Sequence, residues 1–390
     1  MPDPNSISYF ARTNHRNEGR LVGIKQADRL HHMFVIGKTG TGKSSLLEVF
    51  MRQDLESGRG FALLDPHGDL AERVHGAAQR LAPSRTLYLD AADVTQPYGY
   101  NPLRHVRYDS IPVAVSGFLE TLKKLWPDAW GVRMEHVLRN SLYALYEQPE
   151  ASLPDLLRLY SDDGFRKTVT SRLRNLVVRQ FWLTEFESYP DRLRAEAVAP
   201  IQNKLGALLT DPRLYRLFVS HETDIRFRPL MDGDGALIAN LAKGRLGEES
   251  SNVAGGVLLS TMFLAALSRA TEAPAARRPF FIYVDEFQTF ATLTFLNMLS
   301  ELRKYGVGVT IATQQMNLAL GEIATSALSN TSSLVSFRLG ADDASRIARE
   351  LGISHLLDYL LSLPTGSMYT SILIDGMPSM PFSANARQLQ

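Results

Sequence analysis

The feature that most constrains the fold is a glycine-rich segment that directly follows a short apolar run. The run is Met33–Ile36, and the segment Gly37–Ser44 fits the pattern G-x-x-x-x-G-K-[ST]. Glycines in such a loop let backbone N–H groups curve around a phosphate, and a helix that begins there directs its positive dipole end at the same anion. The pattern therefore predicts a strand, a phosphate-binding loop and a helix in this order, with a nucleoside triphosphate as the ligand.

Each polar side chain of this loop has an expected role. Lys43 is expected to reach the terminal phosphates of ATP, and Ser44 is expected to ligate Mg²⁺. The residues that we predict to contact the nucleotide form one stretch: Gly37, Lys38, Thr39, Gly40, Thr41, Gly42, Lys43, Ser44 and Ser45. The alternative for a lone loop of this kind is a glycine-rich turn that matches by chance.

A second motif argues against a chance match. The apolar run Phe280–Val284 is typical of a buried strand, and it ends in Asp285 and Glu286. In phosphate-loop hydrolases one carboxylate holds Mg²⁺ through water, and the next can orient and deprotonate the attacking water. We predict the metal role for Asp285 and the catalytic base for Glu286. Such a pair could instead cap the next helix, but both motifs in this order favour an NTP hydrolase.

Composition narrows the class of protein. The chain has 390 residues, a length that is enough for two or three domains. Of these residues 45% are hydrophobic and 21% are charged, and the net charge is +1. It contains no cysteine, which excludes a disulfide framework and a thiolate metal site. We expect no secretory signal in the polar segment Met1–Glu18, and no membrane span, because the apolar run Val253–Leu267 is shorter than the ~20 residues required.

The order of apolar runs predicts an α/β fold, a RecA-like phosphate-loop core with a mostly parallel sheet and an inserted all-α domain. Strand-like runs alternate with helical periodicity on both sides of the insertion. We predict an N-terminal arm at 1–19, a nucleotide-binding domain formed by 20–110 and 219–390, and the all-α domain at 111–218, whose helical runs are divided by prolines. The strands expected after the loop are Gly60–Asp65, Thr86–Asp90, Ala236–Leu241, Phe280–Val284, Val307–Thr313, Leu334–Leu339 and Met368–Ile374.

Further short segments carry a resemblance to a known family. They are Asp65–Leu70 (DPHGDL), Tyr100–Leu103 (YNPL), Val284–Glu286, Leu302–Gly306 (LRKYG) and Ile311–Gln315 (IATQQ). In this order, with the phosphate loop, they resemble the HerA–FtsK superfamily of ATPases, and the helical insertion resembles that of the conjugative coupling ATPases of type IV secretion, the TraD and TrwB kind. The resemblance covers the chain from about Arg20 to its end.

The resemblance implies a hexameric ring of RecA-like cores that moves DNA through its centre with ATP. Coupling proteins of this kind usually carry N-terminal membrane helices, whereas we expect no membrane span here. The expected location is therefore cytoplasmic, at the inner membrane only through a partner such as a relaxase or a secretion channel.

Several polar residues acquire expected roles from the same resemblance. Arg303 precedes a buried strand and is predicted to act as an arginine finger on the γ-phosphate of a neighbouring subunit. The alternative is an arginine that caps the end of its own helix. Arg338 is the second candidate, and Arg346 and Arg349 could act from the following helix.

Gln314 ends its strand, where an amide could touch both the attacking water and the γ-phosphate and report the nucleotide state. A polar residue at a strand end can also serve only the adjacent loop. For the segment around Asp65 we expect a turn with Asp69 as the cap of the next helix. Asp65 could lie behind the residues that contact the nucleotide, and a single histidine, His67, gives a weak case for a metal site.

DNA contacts are predicted at two places. Lys243 and Arg245 lie in KGRLG, read as a glycine-flexible loop that suits phosphate contacts, unless it is simply a solvated loop. The insertion has a second basic cluster, which precedes the aromatic pair Phe181 and Trp182, although charged helix faces are usually only solvated. That cluster consists of Arg166, Lys167, Arg172, Arg174 and Arg179. Because no base-reading motif is present, we expect DNA binding that is backbone-directed and sequence-tolerant.

Two functions remain open at this point. One is a hexameric, ATP-driven DNA translocase of conjugative transfer or type IV secretion. The other is a HerA-like ATPase that powers protein secretion or supports a nuclease partner in defence or DNA processing. Both use the same nucleotide chemistry, so the residues of the phosphate loop cannot separate them.

Overall fold

The fold is taken from a computed structural model, which describes residues 3–14, 19–316 and 321–388. Its strands are β1 (Ile7–Thr13), β2 (Leu21–Lys25), β3 (Met33–Ile36), β4 (Gly60–Asp65), β5 (Thr86–Asp90), β6 (Tyr98–Gly99), β7 (Thr223–Asp224), β8 (Ala236–Asn240), β9 (Phe280–Val284), β10 (Val307–Thr313), β11 (Ser333–Ser336), β12 (Ser367–Ser371), β13 (Leu373–Ile374), β14 (Met377–Pro378) and β15 (Phe382–Ala386).

The α-helices begin and end as follows: α1 (Gln26–Arg29), α2 (Lys43–Glu56), α3 (Asp69–Leu81), α4 (Ile111–Leu125), α5 (Val132–Tyr146), α6 (Leu153–Ser161), α7 (Asp163–Ser171), α8 (Leu176–Gln180), α9 (Asp191–Thr210), α10 (Pro212–Phe218), α11 (Phe227–Asp232), α12 (Lys243–Leu246), α13 (Glu248–Leu267), α14 (Leu293–Leu302), α15 (Gly321–Ser329), α16 (Ala341–Glu350) and α17 (Leu357–Ser362).

A large sheet organises the described part of the chain. Eleven of the described strands form it, in the order β2-β1-β15-β12-β11-β3-β10-β9-β4-β8-β5. Neighbouring strands from β11 to β8 run parallel, and β12, β15, β1 and β2 continue the sheet with antiparallel pairs. The predicted fold class is confirmed. Since β3 lies inside the parallel part, the segment that follows it lies at the carboxyl edge, where open α/β sheets bind ligands.

The chain divides into two compact units. The first comprises the described residues of Met1–Tyr88, Arg228–Leu241 and Arg269–Gln390, and the second those of Leu89–Phe227 and Ala242–Ser268. The second unit therefore contains the whole predicted insertion, the residues that flank it, and helix α13. The first unit holds β3, the phosphate loop and β9, so both predicted nucleotide motifs belong to one compact body.

Close packing explains why α13 groups with the helices of the insertion. Helix α13 packs against α4, and a Cβ on Gly256 would lie 2.7 Å from Thr121 Cγ2. The glycine therefore lets the two helix backbones approach closely. The sequence pattern placed α13 with the sheet because a helix between two strands is the usual order of an α/β fold.

Several strands of the large sheet begin and end at or close to the predicted positions. Four of them, β4, β5, β9 and β10, have the predicted bounds, and β8 ends one residue before Leu241. Strand β11 ends at Ser336, before the predicted Leu339, because Leu339 N donates to the carbonyl of Leu360. The predicted strand Met368–Ile374 is interrupted at Ile372, whose N–H and carbonyl both bond to Ser379.

The antiparallel strands at the chain ends did not follow from the sequence pattern. Strand β1 lies within the segment 1–19 that was predicted as an arm, and it pairs with β2 and β15. A bulge between Tyr9 and Ala11 breaks the alternation of the strand, so Phe10 and Ala11 are both fully buried although they are neighbours in sequence. Because a bulge shifts the side-chain period, the run lacks the usual strand signature.

The stretch from Phe165 to Phe186, inside the predicted all-α domain, does not form one continuous helix. Helix α7 ends at Ser171, and α8 starts anew after Asn175, whose Oδ1 accepts the N–H groups of Val177 and Val178. A π-helical turn, Phe181–Glu185, follows α8. The side-chain cap explains the new start, since an asparagine in this position satisfies the free N–H groups of the first turn.

Among the described residues, one helix is long and apolar enough to cross a membrane by length and composition. It spans Glu248–Thr271, and 61% of its most apolar window is buried inside the protein. A mostly buried core helix passes the same test, so this finding is weak evidence for a span.

The buried histidine before β3 makes the stability of the fold depend on pH. His32 is 3% exposed, and its Nδ1 accepts the N–H of Val309 at 3.0 Å. Burial lowers its pKa to about 4. Between about pH 6.5 and pH 4 the imidazole of His32 is protonated in the unfolded chain but not in the folded protein. The free energy of unfolding therefore falls as the pH falls, by up to roughly 3 kcal/mol.

We expect His32→Asn to remove most of this pH dependence. Asparagine tolerates the positive φ of 65° at this position and offers an oxygen acceptor that does not titrate. Urea unfolding of both proteins should be measured at pH 7 and pH 4.5. The difference in stability between wild type and variant should shrink or reverse at the lower pH; a difference that stays constant would contradict the assignment.

Candidate nucleotide site

The segment after β3 has the conformation that a phosphate loop requires. Gly40 and Gly42 have φ values of 72° and 128°, in the region that favours glycine. Gly42 directly precedes α2, and a Cβ on it would lie 2.8 Å from Phe337 Cε1. The first turn of α2 therefore directs its free N–H groups toward the loop, which is the usual arrangement of an anion site.

The lysine of the loop is held over it by backbone carbonyls. Lys43 is 5% exposed, and its Nζ donates to the carbonyls of Gly37 at 2.7 Å and Lys38 at 3.3 Å. Burial lowers the pKa of Lys43, and the negative charges of Glu286 and Asp285 oppose this effect. The ammonium group thus lies between the loop and the two carboxylates.

The predicted metal ligands lie next to each other. Ser44 Oγ donates to Asp285 Oδ2 at 3.2 Å. The pKa of Asp285 is raised to about 6, first by burial and then by the negative charges of Asp65 and Glu286. A serine hydroxyl and a carboxylate in a crowded acidic environment fit Mg²⁺, which takes oxygen ligands and would neutralise this charge. The residues present are therefore suited to the predicted ion.

A chain of hydrogen bonds connects the phosphate loop to the predicted base. Thr39 Oγ1 donates to Gln314 Oε1 at 2.7 Å, and Gln314 Nε2 donates to Glu286 Oε1 at 2.7 Å. Glu286 has a φ of 45°, a left-handed conformation that costs a non-glycine residue about 1–3 kcal/mol and often occurs at functional sites. The structure thus brings together Thr39, Gln314 and Glu286, which lie on three separate segments.

Sequence reasoning missed Gln288, the second partner of Glu286. Gln288 Nε2 donates to Glu286 Oε2, and its Oε1 accepts from Thr313 Oγ1 at 2.8 Å. Both oxygens of the glutamate are therefore held by side-chain amides, one of which is tied to the end of β10. A glutamine two residues after a predicted base is a signal that could have indicated this contact.

The segment after β4 forms a turn, but its capping residue differs from the prediction. Asp65 Oδ1 accepts the N–H of His67 and Oδ2 accepts the N–H of Ala71, both at 2.9 Å. The predicted cap, Asp69, is instead the first residue of α3, and Gly68 occupies the N-cap position. The carboxylate of Asp65 therefore spans the turn and satisfies an N–H group in the first turn of α3. It also adds negative charge near Asp285.

Arg303 lies at the amino-terminal ends of the parallel strands, whereas the phosphate loop lies at their carboxyl-terminal ends. It begins a 3₁₀ turn before β10 and is exposed. The loop follows the carboxyl end of β3, whose neighbour β10 runs parallel to it. Because β10 has seven residues and a strand rises about 3.3 Å per residue, the two edges are roughly 20 Å apart. Arg303 therefore cannot reach the loop of its own chain.

The other candidate arginines lie elsewhere. Arg338 follows β11 and lies next to the phosphate loop, where its backbone carbonyl accepts the N–H of Lys38 at 2.9 Å. Its guanidinium donates to the carbonyl of Leu363 at 3.4 Å. Arg346 bonds to Thr325 Oγ1, and Arg349 donates to the carbonyl of Ser345 on its own helix. Of these three, Arg338 lies beside the loop in the same chain.

The segment with Lys243 and Arg245 is not the flexible loop that we expected. It forms the single-turn helix α12, because the N–H groups of Arg245 and Leu246 bond to the carbonyl of Ala242. Arg245 makes an ion pair with Asp90 at 2.6 Å, and Lys243 Nζ lies 3.9 Å from Glu248 Oε1. Both cations keep part of their surface exposed, but each has a carboxylate neighbour.

The aromatic pair of the insertion belongs to the core of the helical unit. Phe181 is 4% exposed and Trp182 is 1% exposed, and both pack against Phe186. They are therefore unable to stack on bases in this conformation. Arg166 of the preceding basic cluster is also buried, and it pairs with Asp163 and Glu187. Lys167, Arg172, Arg174 and Arg179 are exposed.

The parallel sheet, the glycine loop at the end of β3 and the acidic end of β9 define a RecA-like phosphate-loop fold. Residues 22–243 match the family described as helicase HerA, central domain (DUF87). The chain belongs to this family. No curated protein matches it.

Solved structures of similar fold include two of TrwB and one of VirB4. The conjugative coupling protein TrwBΔN70, in an unbound monoclinic form, is 16% identical over 95% of this chain and 88% of its own, with a TM-score of 0.68. TrwB in complex with the GTP analogue GDPNP is 17% identical over 99% and 96%, with a TM-score of 0.66. VirB4 of Thermoanaerobacter pseudethanolicus is 13% identical over 99% and 98%, with a TM-score of 0.66. At these identities the likeness concerns the fold, and it confirms the predicted resemblance.

Proposed function

We propose that this chain is a Mg²⁺-dependent ATP hydrolase that moves DNA as a hexameric ring in conjugative transfer or type IV secretion. The observation that carries the hydrolase is the chain of hydrogen bonds from Thr39 through Gln314 to Glu286. It connects a phosphate loop to a carboxylate, as a hydrolase needs if it is to couple nucleotide binding to activation of water. The family description, helicase HerA, supports a nucleic-acid substrate.

The reaction follows from the groups at this edge of the sheet. Lys43 and the N–H groups of α2 bind the phosphates, and Glu286 accepts a proton from the attacking water. Gln314 holds the carboxylate of Glu286 and the hydroxyl of Thr39 at once, so it can sense whether the loop is occupied. When bound at Ser44 and Asp285, Mg²⁺ supplies positive charge to the phosphate oxygens.

The position of Arg303 supports a ring. An exposed arginine that cannot reach its own nucleotide can complete the site of a neighbour only if subunits pack edge to edge. Such a finger stabilises the charge on the transferred phosphoryl group. We therefore propose that Arg303 acts as a finger on the nucleotide of the neighbouring subunit. Arg338 would supply a positive charge beside the nucleotide of its own subunit.

DNA and partner binding complete the proposal. Lys243 and Arg245 are proposed to contact the DNA backbone without regard to sequence, and the helical domain 111–218 to receive a relaxase or a secretion-channel component. The chain would act in the cytoplasm and reach the inner membrane through that partner. TrwB is described as a conjugative coupling protein, which supports this assignment over a stand-alone hydrolase.

The first test is whether DNA stimulates hydrolysis. We expect the ATPase rate to rise with DNA of unrelated sequences to a similar degree, in single-stranded or double-stranded form. Binding should weaken steeply with salt, because phosphate contacts release counterions. Rates and affinities should be measured on the assembled ring, whose mass is determined with nucleotide and DNA present.

The double variant Lys243→Ala/Arg245→Ala should flatten the salt dependence by up to roughly two units of the log–log slope. Its ATP affinity should not change, because neither residue lies in the phosphate loop. Arg192→Ala is a matched control in the same unit, since this arginine is 92% exposed. The same slope in the double variant and the control would remove these two cations from the DNA contact.

A second candidate function is a HerA-like ATPase for protein secretion or for a nuclease-partnered defence or DNA-processing complex. The fold shared with VirB4 and the HerA family description favour keeping it. An assembled ring whose ATPase rate is indifferent to both forms of DNA at low salt would contradict the DNA motor. The protein-handling function would then replace it.

A further inference from the structure

A cavity beside the phosphate loop has a second wall that is formed by the end of the chain. Its volume is about 670 Å³. One wall consists of Gly40 and residues 42–45, and the other of residues 365–367 and 385–388. Gly366 N donates to the carbonyl of Thr41 at 2.9 Å, and Ala386 N donates to that of Gly366 at 2.8 Å. The second wall is therefore bonded directly to the loop.

The cavity extends away from the catalytic carboxylates. The described residues that line it include Lys43, Ser44 and Ser45, but neither Asp285 nor Glu286. The terminal phosphate of a bound nucleotide belongs beside Lys43 and Glu286, so the inner phosphates follow the first turn of α2. The nucleoside then lies beyond Ser45, where the cavity is.

Arg387 is the cation of this second wall. Its backbone N–H donates to the carbonyl of Phe10 at 2.8 Å, which anchors the segment to β1, and its side chain is exposed. Among the residues that the structure describes, its guanidinium has no carboxylate within ion-pair distance. Arg387 also borders a neighbouring cavity of about 920 Å³, so its side chain has room to turn toward a nucleotide.

The described lining has no aromatic ring to stack on a base and no buried amide to select one. None of the described residues that line the cavity is aromatic. Asn385 Oδ1 already accepts from Ser367 Oγ at 2.9 Å and from Asn14 Nδ2 at 2.8 Å. Strong discrimination between similar ligands requires buried polar groups that are left unpaired by the wrong one. Both amide side chains of this wall, Asn385 and Gln388, are exposed, so neither would be left buried and unpaired by the wrong base.

We propose that this cavity holds the nucleoside half of the nucleotide and that Arg387 pairs with the phosphate nearest the ribose. Affinity then depends on the phosphates and on Arg387 far more than on the base, and ATP and GTP bind alike. This inference rests on the proposed nucleotide function and deepens it by naming a binding residue and the substrate range.

The test is calorimetric binding of ADP, and of non-hydrolysable ATP and GTP analogues, to the full chain with Mg²⁺. Arg387→Gln should weaken all three by roughly fivefold to twentyfold, the loss of one charge-assisted contact. Arg387→Lys should recover part of this loss. Arg80→Gln, an exposed arginine of α3 in the same unit, should stay within twofold of wild type. Wild type should bind the two triphosphates within about fivefold of each other.

The outcomes separate this inference from the function on which it rests. Wild type that binds no nucleotide would overturn the proposed hydrolase itself. Wild-type affinity in Arg387→Gln, with unchanged thermal unfolding, would overturn only the role of Arg387. A loss for the triphosphates but not for ADP would place the contact at the γ-phosphate and contradict the proposed position. A preference for ATP of a hundredfold or more would contradict the open base site.

Discussion

Replacing Glu286 with glutamine is expected to leave nucleotide binding intact while slowing hydrolysis by roughly 10²–10⁴-fold. Glutamine has the same size and keeps one oxygen that can accept from Gln314 Nε2, as Glu286 Oε1 does, but its NH2 group replaces the oxygen that accepts from Gln288 Nε2. It cannot accept the proton of the attacking water. The size and place of the side chain are therefore kept, whereas the base and one of its two hydrogen bonds are removed.

Single-turnover hydrolysis at saturating ATP should be measured with the affinity for a non-hydrolysable analogue. Glu301→Gln is a suitable control, because Glu301 is a partly exposed glutamate whose partner is Lys304. The control should hydrolyse ATP at the wild-type rate. Turnover of Glu286→Gln within a few-fold of wild type would remove Glu286 from the catalytic role.

Replacing Arg303 with alanine is expected to reduce hydrolysis by ~10³–10⁵-fold, the usual effect of removing an arginine finger. Nucleotide affinity should remain close to that of wild type, because Arg303 lies at the sheet edge remote from its own loop. Lys304→Ala is the matched control. This neighbouring lysine is 64% exposed and pairs with Glu301 at the end of α14, so its loss should have little effect.

Mixed rings test whether the finger acts between subunits. Arg303→Ala subunits keep an intact loop, and Lys43→Ala subunits keep an intact finger. Mixing the two inactive variants should restore some activity, at interfaces where an intact finger meets an intact loop. If no mixing ratio restores activity, Arg303 does not act in trans, and Arg338 becomes the stronger candidate.

The parts of the fold that could be predicted are those whose signal is local. Strands β4, β9 and β10 are continuous apolar runs because both faces of a central parallel strand are buried, and every residue of each is buried. The strands at the chain ends lack this signal. Strand β1 pairs with β15, more than 370 residues away, as in the pair Ala11 and Ala386, and its bulge interrupts the alternation that marks a strand with one buried face.

In the candidate site, too, some features have a local sequence signal and others depend on contacts between distant residues. The residue types and spacing of Gly37–Ser44, and the two carboxylates after β9, are sufficient to predict a phosphate loop and its acidic partner. Two roles depend on tertiary contacts instead. Gln288 was missed, and the cap of α3 was assigned to Asp69, whereas Asp65 makes the bonds. Both depend on where a side chain points at the end of a strand.

The sequence by itself determined the nucleotide chemistry of this protein, because a phosphate loop is made by consecutive residues whose backbone shape follows from their own glycines. The tertiary structure decided which distant groups serve that loop. It joined Gln314 to Glu286, placed Arg303 at the opposite edge of the sheet, and brought Arg387 beside α2. These placements follow from the order and direction of strands in the sheet, and pairing between strands far apart in the chain leaves little trace in local sequence pattern.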